Sequence, residues 1–259
     1  MTDPAAAGLH TADGVRLAAG WHRPPSSAGG AAAVVVVHGF CAHQRAPEVV
    51  ALVGRLVDAG HPVLTFDLRG HGRSEGECTL GGRERLDVDA AVAAARADHD
   101  VVVAVGASLG GIAVVDHLVD ATTADAAVTV STPATWGVPR SLAGLLAAVT
   151  TQTPPGRMLI ARKTGTRVAV RPARGAPPVE RIRLARAPVA VVHGLADRFI
   201  APAAARALYA AVPGPRHLAL VPGMGHGFGR AAGPTIAEAV AWAMAEVASP
   251  DPQPEPDAG

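Results

Sequence analysis

Six short β-branched runs dominate this sequence: AAAVVVVHGF (31–40), HPVLTFDLRG (61–70), DVVVAVGASL (100–109), DAAVTVSTP (125–133), APVAVVHG (187–194) and RHLALVPG (216–223). Each is nearly all apolar, too short for a core helix, and bounded by Gly, Pro, His or Asp. Such runs fit parallel strands covered on both faces. Segments of helical period separate them: EVVALVGRLVDAG (48–60), RERLDVDAAVAAARA (83–97), GGIAVVDHLVDA (110–121), PAAARALYAAV (202–212) and PTIAEAVAWAMAEVA (234–248). Gly60 sits where a helix C-cap belongs, and Pro202 in a first helical turn. The alternation predicts an α/β fold, a mostly parallel sheet with helices on both faces.

DGVRLAAGWHRP (13–24) reads as an edge strand or hairpin arm, with SSAGG (26–30) as its turn. The rhythm breaks between Ala134 and Ala187, where no buried strand is evident. An insert of that length above a regular sheet is often a lid. Within it, GRMLIARKTGTRVAV reads equally as a hairpin or a lid arm. We therefore expect one domain over 1–248, with a lid insert at about 134–187. The Pro-rich, acidic tail 249–259 is expected to be disordered.

Composition sets limits. Of 259 residues, 49% are hydrophobic and 17% charged, enough for a buried core. Net charge is +1, so bulk charge names no partner. Cys41 and Cys78 cannot build a disulfide framework and fit no metal-ligand spacing. The N-terminal stretch has neither a basic start nor a long apolar run, and no span of 18 apolar residues occurs. A cytoplasmic location is the expectation.

Two stretches fit G-x-S-x-G, the pattern of a serine held on a strained strand-to-helix turn. GRSEG (72–76) lies several residues beyond the end of its strand, Arg73 and Glu75 crowd Ser74, and no helical period follows. GASLG (106–110) has the strand VVVAV leading straight in and a helix leading straight out. Ser108 is thus the candidate nucleophile.

A serine hydroxyl needs a general base, and the base needs an acid to fix its tautomer. On a parallel sheet such groups gather at the carboxyl ends of strands. Asp116 and Asp120 belong to the helix after Ser108, and Asp125 precedes a strand. Asp197, just past VAVVHG, is the well-placed acid. Beyond it stand only His217, on the amino side of its strand, and His226, in the glycine-rich loop GMGHGF after LALVPG. His226 is the expected base. The backbone N–H groups of Leu109 and Phe40 are the expected oxyanion donors. His38 and His193 read as loop-bracing residues, and Cys41 as a packing residue.

In the order HGF (38–40), DLRGHGRSEG (67–76), GASLGG (106–111), HGLADRF (193–199) and GMGHGF (223–228), the chain resembles the serine α/β-hydrolases over about residues 12–248. Within them it is most similar to the bacterial lysophospholipase and monoacylglycerol-lipase-like group. The resemblance implies an α/β-hydrolase fold with a small lid. It also gives RGHGRSEG a task, bracing the oxyanion loop. Serine at 108 departs from the aspartate of haloalkane dehalogenases and epoxide hydrolases, HGF from the HGGG run of hormone-sensitive-lipase relatives, and GASLGG from the GGSWG of prolyl aminopeptidases.

The implied activity is hydrolysis of small-molecule acyl esters, without metal or cofactor. Amidase or peptidase action, carbon–carbon bond hydrolysis and cofactor-free perhydrolysis use the same triad, and a non-catalytic binding protein of this fold is the alternative outside enzymes. A peptidase acting on free N-termini should carry a lid carboxylate, and Glu180 is the sole acid there. Trp136, Leu142, Leu145 and Leu146 are expected over the site as an apolar acyl pocket. Residues 134–188 carry +9 against −8 for the remainder. A basic lid suits weak contact with anionic lipid. Nucleic acid is not an expected partner, because Trp136 is the segment's only aromatic residue.

Overall fold

The computed structural model describes residues 6–25, 32–136, 149–172 and 174–248. Eight strands form one sheet: β1 (Ala6–His10), β2 (Arg16–His22), β3 (Ala33–Val37), β4 (Val63–Phe66), β5 (Val102–Ala107), β6 (Ala126–Val130), β7 (Val189–Gly194) and β8 (Arg216–Val221). Their order is β1-β2-β4-β3-β5-β6-β7-β8. From β4 to β8 every pairing is parallel, while β1 and β2 run antiparallel at one side. The six apolar runs are the six parallel strands.

β2 is not the edge. β1 covers it, joined by a turn in which Gly14 has φ 82° and donates to Thr11 O. The Asp13–Gly14 pair carried that hairpin signal. The alanine-rich β1 offered no alternation to match it. Residues 26–30, expected to form a turn, lie outside the described residues.

The helices are α1 (Pro47–Asp58), α2 (Glu84–Arg96), α3 (Leu109–Asp120), α4 (Pro154–Thr164), α5 (Pro178–Arg181), α6 (Pro202–Ala211) and α7 (Gly233–Ala248). Alternate residues of each central strand feed opposite cores. Val35, Val37 and Ala104 pack with α2, α3 and α6, whereas Val34, Val36, Val103 and Val105 pack with α1 and α7. Burial on both faces explains why the strand sequences are continuous rather than alternating. Each buried valine contributes roughly 1.5–3 kcal/mol.

Between β6 and β7 the described residues include the helices α4 and α5 and no strand of the sheet. GRMLIARKTGTRVAV forms neither a hairpin nor a free arm. It is a helix capped by Gly165 at φ 70°, followed by an extended piece. That piece pairs with the loop after β4: the N–H of Arg167 donates to Gly70 O (2.7 Å), that of Cys78 to Arg167 O (2.7 Å) and that of Ala169 to Cys78 O (2.9 Å). Arg181 then binds Asp116 (3.0 Å) and Asp120 on α3. No helix among the described residues is long and apolar enough to cross a membrane.

Candidate active site

Ser108 occupies the junction of β5 and α3 with φ 52° and ψ −112°, a conformation that L-residues rarely adopt. The turn is tight enough to explain its glycines. A Cβ on Gly110 would lie 2.5 Å from His38 O, and one on Gly106 would lie 2.6 Å from the carbonyl carbon of Gly110. Small residues are therefore the condition for holding the serine up from the sheet between β3 and β5.

Ser108 and His226 line one cavity of about 290 Å³, together with His38, Gly39, Phe40, Ala42, Glu48, Val49 and Phe228. His226 comes from the loop after β8. That loop reaches inward because β7 ends in Gly194, where a Cβ would stand 2.5 Å from Gly225 O. His226 Nδ1 is 2.7 Å from Asp197 Oδ2. The Asp197 side chain is 0% exposed. Its other oxygen accepts from the N–H groups of Phe199 (2.8 Å) and Ile200 (3.0 Å). Burial pushes the carboxyl up, but the bonds from His226, Ile200 and Phe199 outweigh it and hold Asp197 below the usual carboxylate range. An ionised Asp197 fixes the proton on Nδ1 of His226 and leaves Nε2 as the acceptor. The ring of Phe199 packs on the imidazole at 5.2 Å between centroids.

His193 braces the loop that carries Asp197: its Nε2–H donates to Ile200 O at 3.0 Å. His38 does the same for the loop after β3. Its Nε2 accepts from the N–H of Leu68 (3.0 Å), so Nδ1 carries the proton and donates to Gly39 O (2.8 Å). Burial, reinforced by the neighbouring His71, pushes this imidazole down to about 3, so it stays neutral. Gly39 lies against Ala107 and Ser108. Among the described residues, neither the N–H of Phe40 nor that of Leu109 makes a hydrogen bond.

The second G-x-S-x-G stretch is structural. Ser74 is 2% exposed, donates to Asp67 O at 2.5 Å and accepts from the N–H of Ala18 at 2.9 Å. Around it, the DLRGHGRSEG stretch holds the loop after β3 from outside. His71 Nε2 accepts from the N–H of Cys41 (3.3 Å), and Asp67 accepts from the N–H of Gln44 (2.7 Å). Arg69 anchors the stretch with bonds to buried Asp87 (2.8 Å) and to Asp13 (2.8 Å), and its guanidinium draws the Asp13 carboxyl down to about 2.

Trp136, expected over the site, is not part of the cavity lining. Its indole N–H donates to Gly175 O (2.7 Å), its ring carries Arg174 at 5.5 Å, and its edge rests near Gly81. Leu142, Leu145 and Leu146 lie outside the described residues. Among the lining residues missed from the sequence are Glu48, Val49 and Phe228. The first two sit in the first turn of α1, which starts beyond the carboxyl end of β3, and strand-end reasoning applied to helices would have found them. No group of three or more metal-ligating side chains occurs among the described residues.

Residues 30–174 match the family model described as "Serine aminopeptidase, S33". No curated protein matches the sequence. Among solved structures, the esterase Pf2001 of Pyrococcus furiosus superposes with TM-score 0.68 at 20% identity, over 95% of this chain and 91% of that one. Est1E from Butyrivibrio proteoclasticus, solved with ferulic acid bound, gives 0.69 at 20%, over 94% and 99%. A bromoperoxidase from Bacillus anthracis gives 0.69 at 18%, over 93% and 100%. At these identities the structures establish the likeness of fold.

Proposed function

Because the chain belongs to the serine α/β-hydrolases, the family whose model covers more than half of it, we propose that it cleaves carboxylic esters through a covalent acyl-enzyme. The observation that carries this reading is Ser108 on its strained turn, sharing one cavity with a histidine that a buried aspartate holds.

Nε2 of His226 removes the proton from Ser108 as Oγ attacks the acyl carbonyl. Asp197 stabilises the imidazolium that forms. The N–H groups of Phe40 and Leu109 receive the oxyanion, each donor being worth roughly 3 kcal/mol in the transition state. His226 protonates the leaving alcohol, then activates a water that releases the acid. Every proton passes through one imidazole, and the step calls for no metal or cofactor.

The cavity is small and its walls are partly apolar, which favours small or short-chain acyl groups. Hydrolysis of p-nitrophenyl esters from acetate to dodecanoate is expected to peak at short chains, with a fluorophosphonate probe labelling Ser108. Labelling without turnover of any ester would move the assignment to another acyl substrate. p-Nitroanilides in the same panel read the amidase alternative, which the family description brings forward. Absence of both turnover and labelling would remove the catalytic reading.

On the surface, α4 exposes Met158 (60%) and Leu159 (46%) beside Arg157, Arg162 and Lys163. This combination supports weak contact of the insert with anionic lipid. Cosedimentation with phosphatidylglycerol vesicles, but not phosphatidylcholine vesicles, is the expected result. Binding to neither, or equal binding to both, would end that part of the proposal.

A further inference from the structure

A second cavity, of about 440 Å³, adjoins the first along α1. Glu48, Phe228 and Gly229 line both, and Pro47, Ala51, Leu52 and Arg55 continue the second. The two form one groove that leads from Ser108 over the first turns of α1. Its walls are mixed, polar and apolar in nearly equal measure. Its charged side chains are few: Glu48 between the two cavities, Arg55 two helical turns on (a rise of about 10 Å), and His226, when protonated, beside the serine.

Glu48 has no evident structural task for its oxygens. Its position in the first turn of α1 suits the helix dipole, but that use requires only the charge. Among the described residues, no hydrogen bond or ion pair engages its carboxylate, and Arg55 is not within ion-pair distance of it. Arg55 offsets the charge at the far end, but the Ser108 cavity is lined by Glu48 and not by Arg55, so an unpartnered carboxylate makes that end of the groove electronegative and raises the local concentration of cations there. Phe40 and Phe228 line the same cavity as Glu48. Aromatic rings and a carboxylate lining one cavity are the chemistry that holds an organic ammonium group, through cation–π attraction and charge together. A strongly hydrated metal ion is a poor match, because the groove supplies a single carboxylate and no group of three or more ligating side chains occurs among the described residues.

We propose that Glu48 is a specificity-determining residue: the groove along α1 is a subsite for an organic ammonium group, and the preferred esters carry a positive charge on the part of the substrate lying over α1. The proposal rests on the esterase reading above for the reaction, but not for the binding.

The test uses a matched pair of substrates, butyrylcholine and its uncharged isostere 3,3-dimethylbutyl butyrate, with p-nitrophenyl butyrate and p-nitrophenyl 4-(trimethylammonio)butyrate as the pair charged on the acyl side. In one pair or the other, wild-type kcat/KM is expected to favour the cation by about tenfold, the effect of one desolvated cation–π and charge contact. Glu48→Gln should bring that ratio close to one. Parity of both pairs in the wild type, or a preference that survives Glu48→Gln, overturns the proposal. Calorimetric titration of phenyltrimethylammonium into Ser108→Ala, with and without Glu48→Gln, reads the subsite without turnover. Binding that weakens about tenfold on loss of the carboxylate supports the subsite even if no ester is hydrolysed, in which case the esterase reading alone falls. Hydrolysis of the neutral esters with no Glu48-dependent binding and no cation preference removes the subsite and keeps the esterase.

Discussion

Ser108→Ala is expected to lower kcat on a short p-nitrophenyl ester by about 10⁴- to 10⁶-fold, the range in which loss of a triad nucleophile falls. The residual rate would come from the oxyanion donors and substrate binding. The fold should not suffer, since alanine accepts the backbone position with less side chain to place and Ser108 makes no side-chain hydrogen bond that the core needs. Ser74→Ala should do the reverse. It leaves the groove untouched but strands the part-buried N–H of Ala18, which now donates to Ser74 Oγ. An orphaned buried donor costs about 1–3 kcal/mol, which for a chain of this size lowers Tm by roughly 2–12 °C. Steady-state kinetics and thermal melts of the two variants therefore separate two serines that share one pattern. Activity that survives Ser108→Ala, or is abolished by Ser74→Ala in a protein that still melts cooperatively, would sink the assignment.

That contrast also shows what the sequence could and could not carry. The strained turn at Ser108 was legible because it is a local object: strand, small residue, serine, small residue, helix, all within a dozen positions. The parallel strands were legible for a similar reason, since burial on both faces leaves a continuous apolar run that needs no knowledge of the neighbours. Asp197 and His226 are far apart in sequence, yet the rule that functional groups gather at strand ends pointed to both, and the structure brings them within hydrogen-bond distance of each other. β1 was not legible, because an alanine-rich edge strand is defined by its partner and not by its own pattern. The groove was not legible either. Its lining comes from the loop after β3, the first turn of α1 and the loop after His226, and only packing places Glu48 and Phe228 on the same wall. Trp136 shows the opposite error. An apolar residue in an insert suggests a place over the substrate, whereas its indole N–H and ring are engaged by Gly175 and Arg174.

The hydrogen bonds around Asp197 make one further substitution predictable in detail. In Asp197→Asn, the side-chain amide must choose which end to present to its neighbours. The Oδ1 position accepts two backbone N–H groups, from Phe199 and Ile200, so the amide oxygen belongs there. An NH₂ in that position would face two donors. The NH₂ therefore takes the Oδ2 position, which faces Nδ1 of His226. A donor there forces Nδ1 to become the acceptor and moves the imidazole proton to Nε2, the atom that must receive the proton of Ser108. The geometry survives while the tautomer is wrong. On this ground kcat is expected to fall about 10⁴-fold at neutral pH, the magnitude seen where the same exchange has been made in a serine protease triad. The fold should be nearly unchanged, because the buried site exchanges a charge for a neutral group with the same shape and the same two backbone donors. The loss should also shrink at high pH, where hydroxide can take the proton of the serine without the imidazole. A pH–rate profile of Asp197→Asn beside wild type checks the argument. A loss below about tenfold across the neutral range would mean that the imidazole finds its tautomer without Asp197, and that another group orients His226.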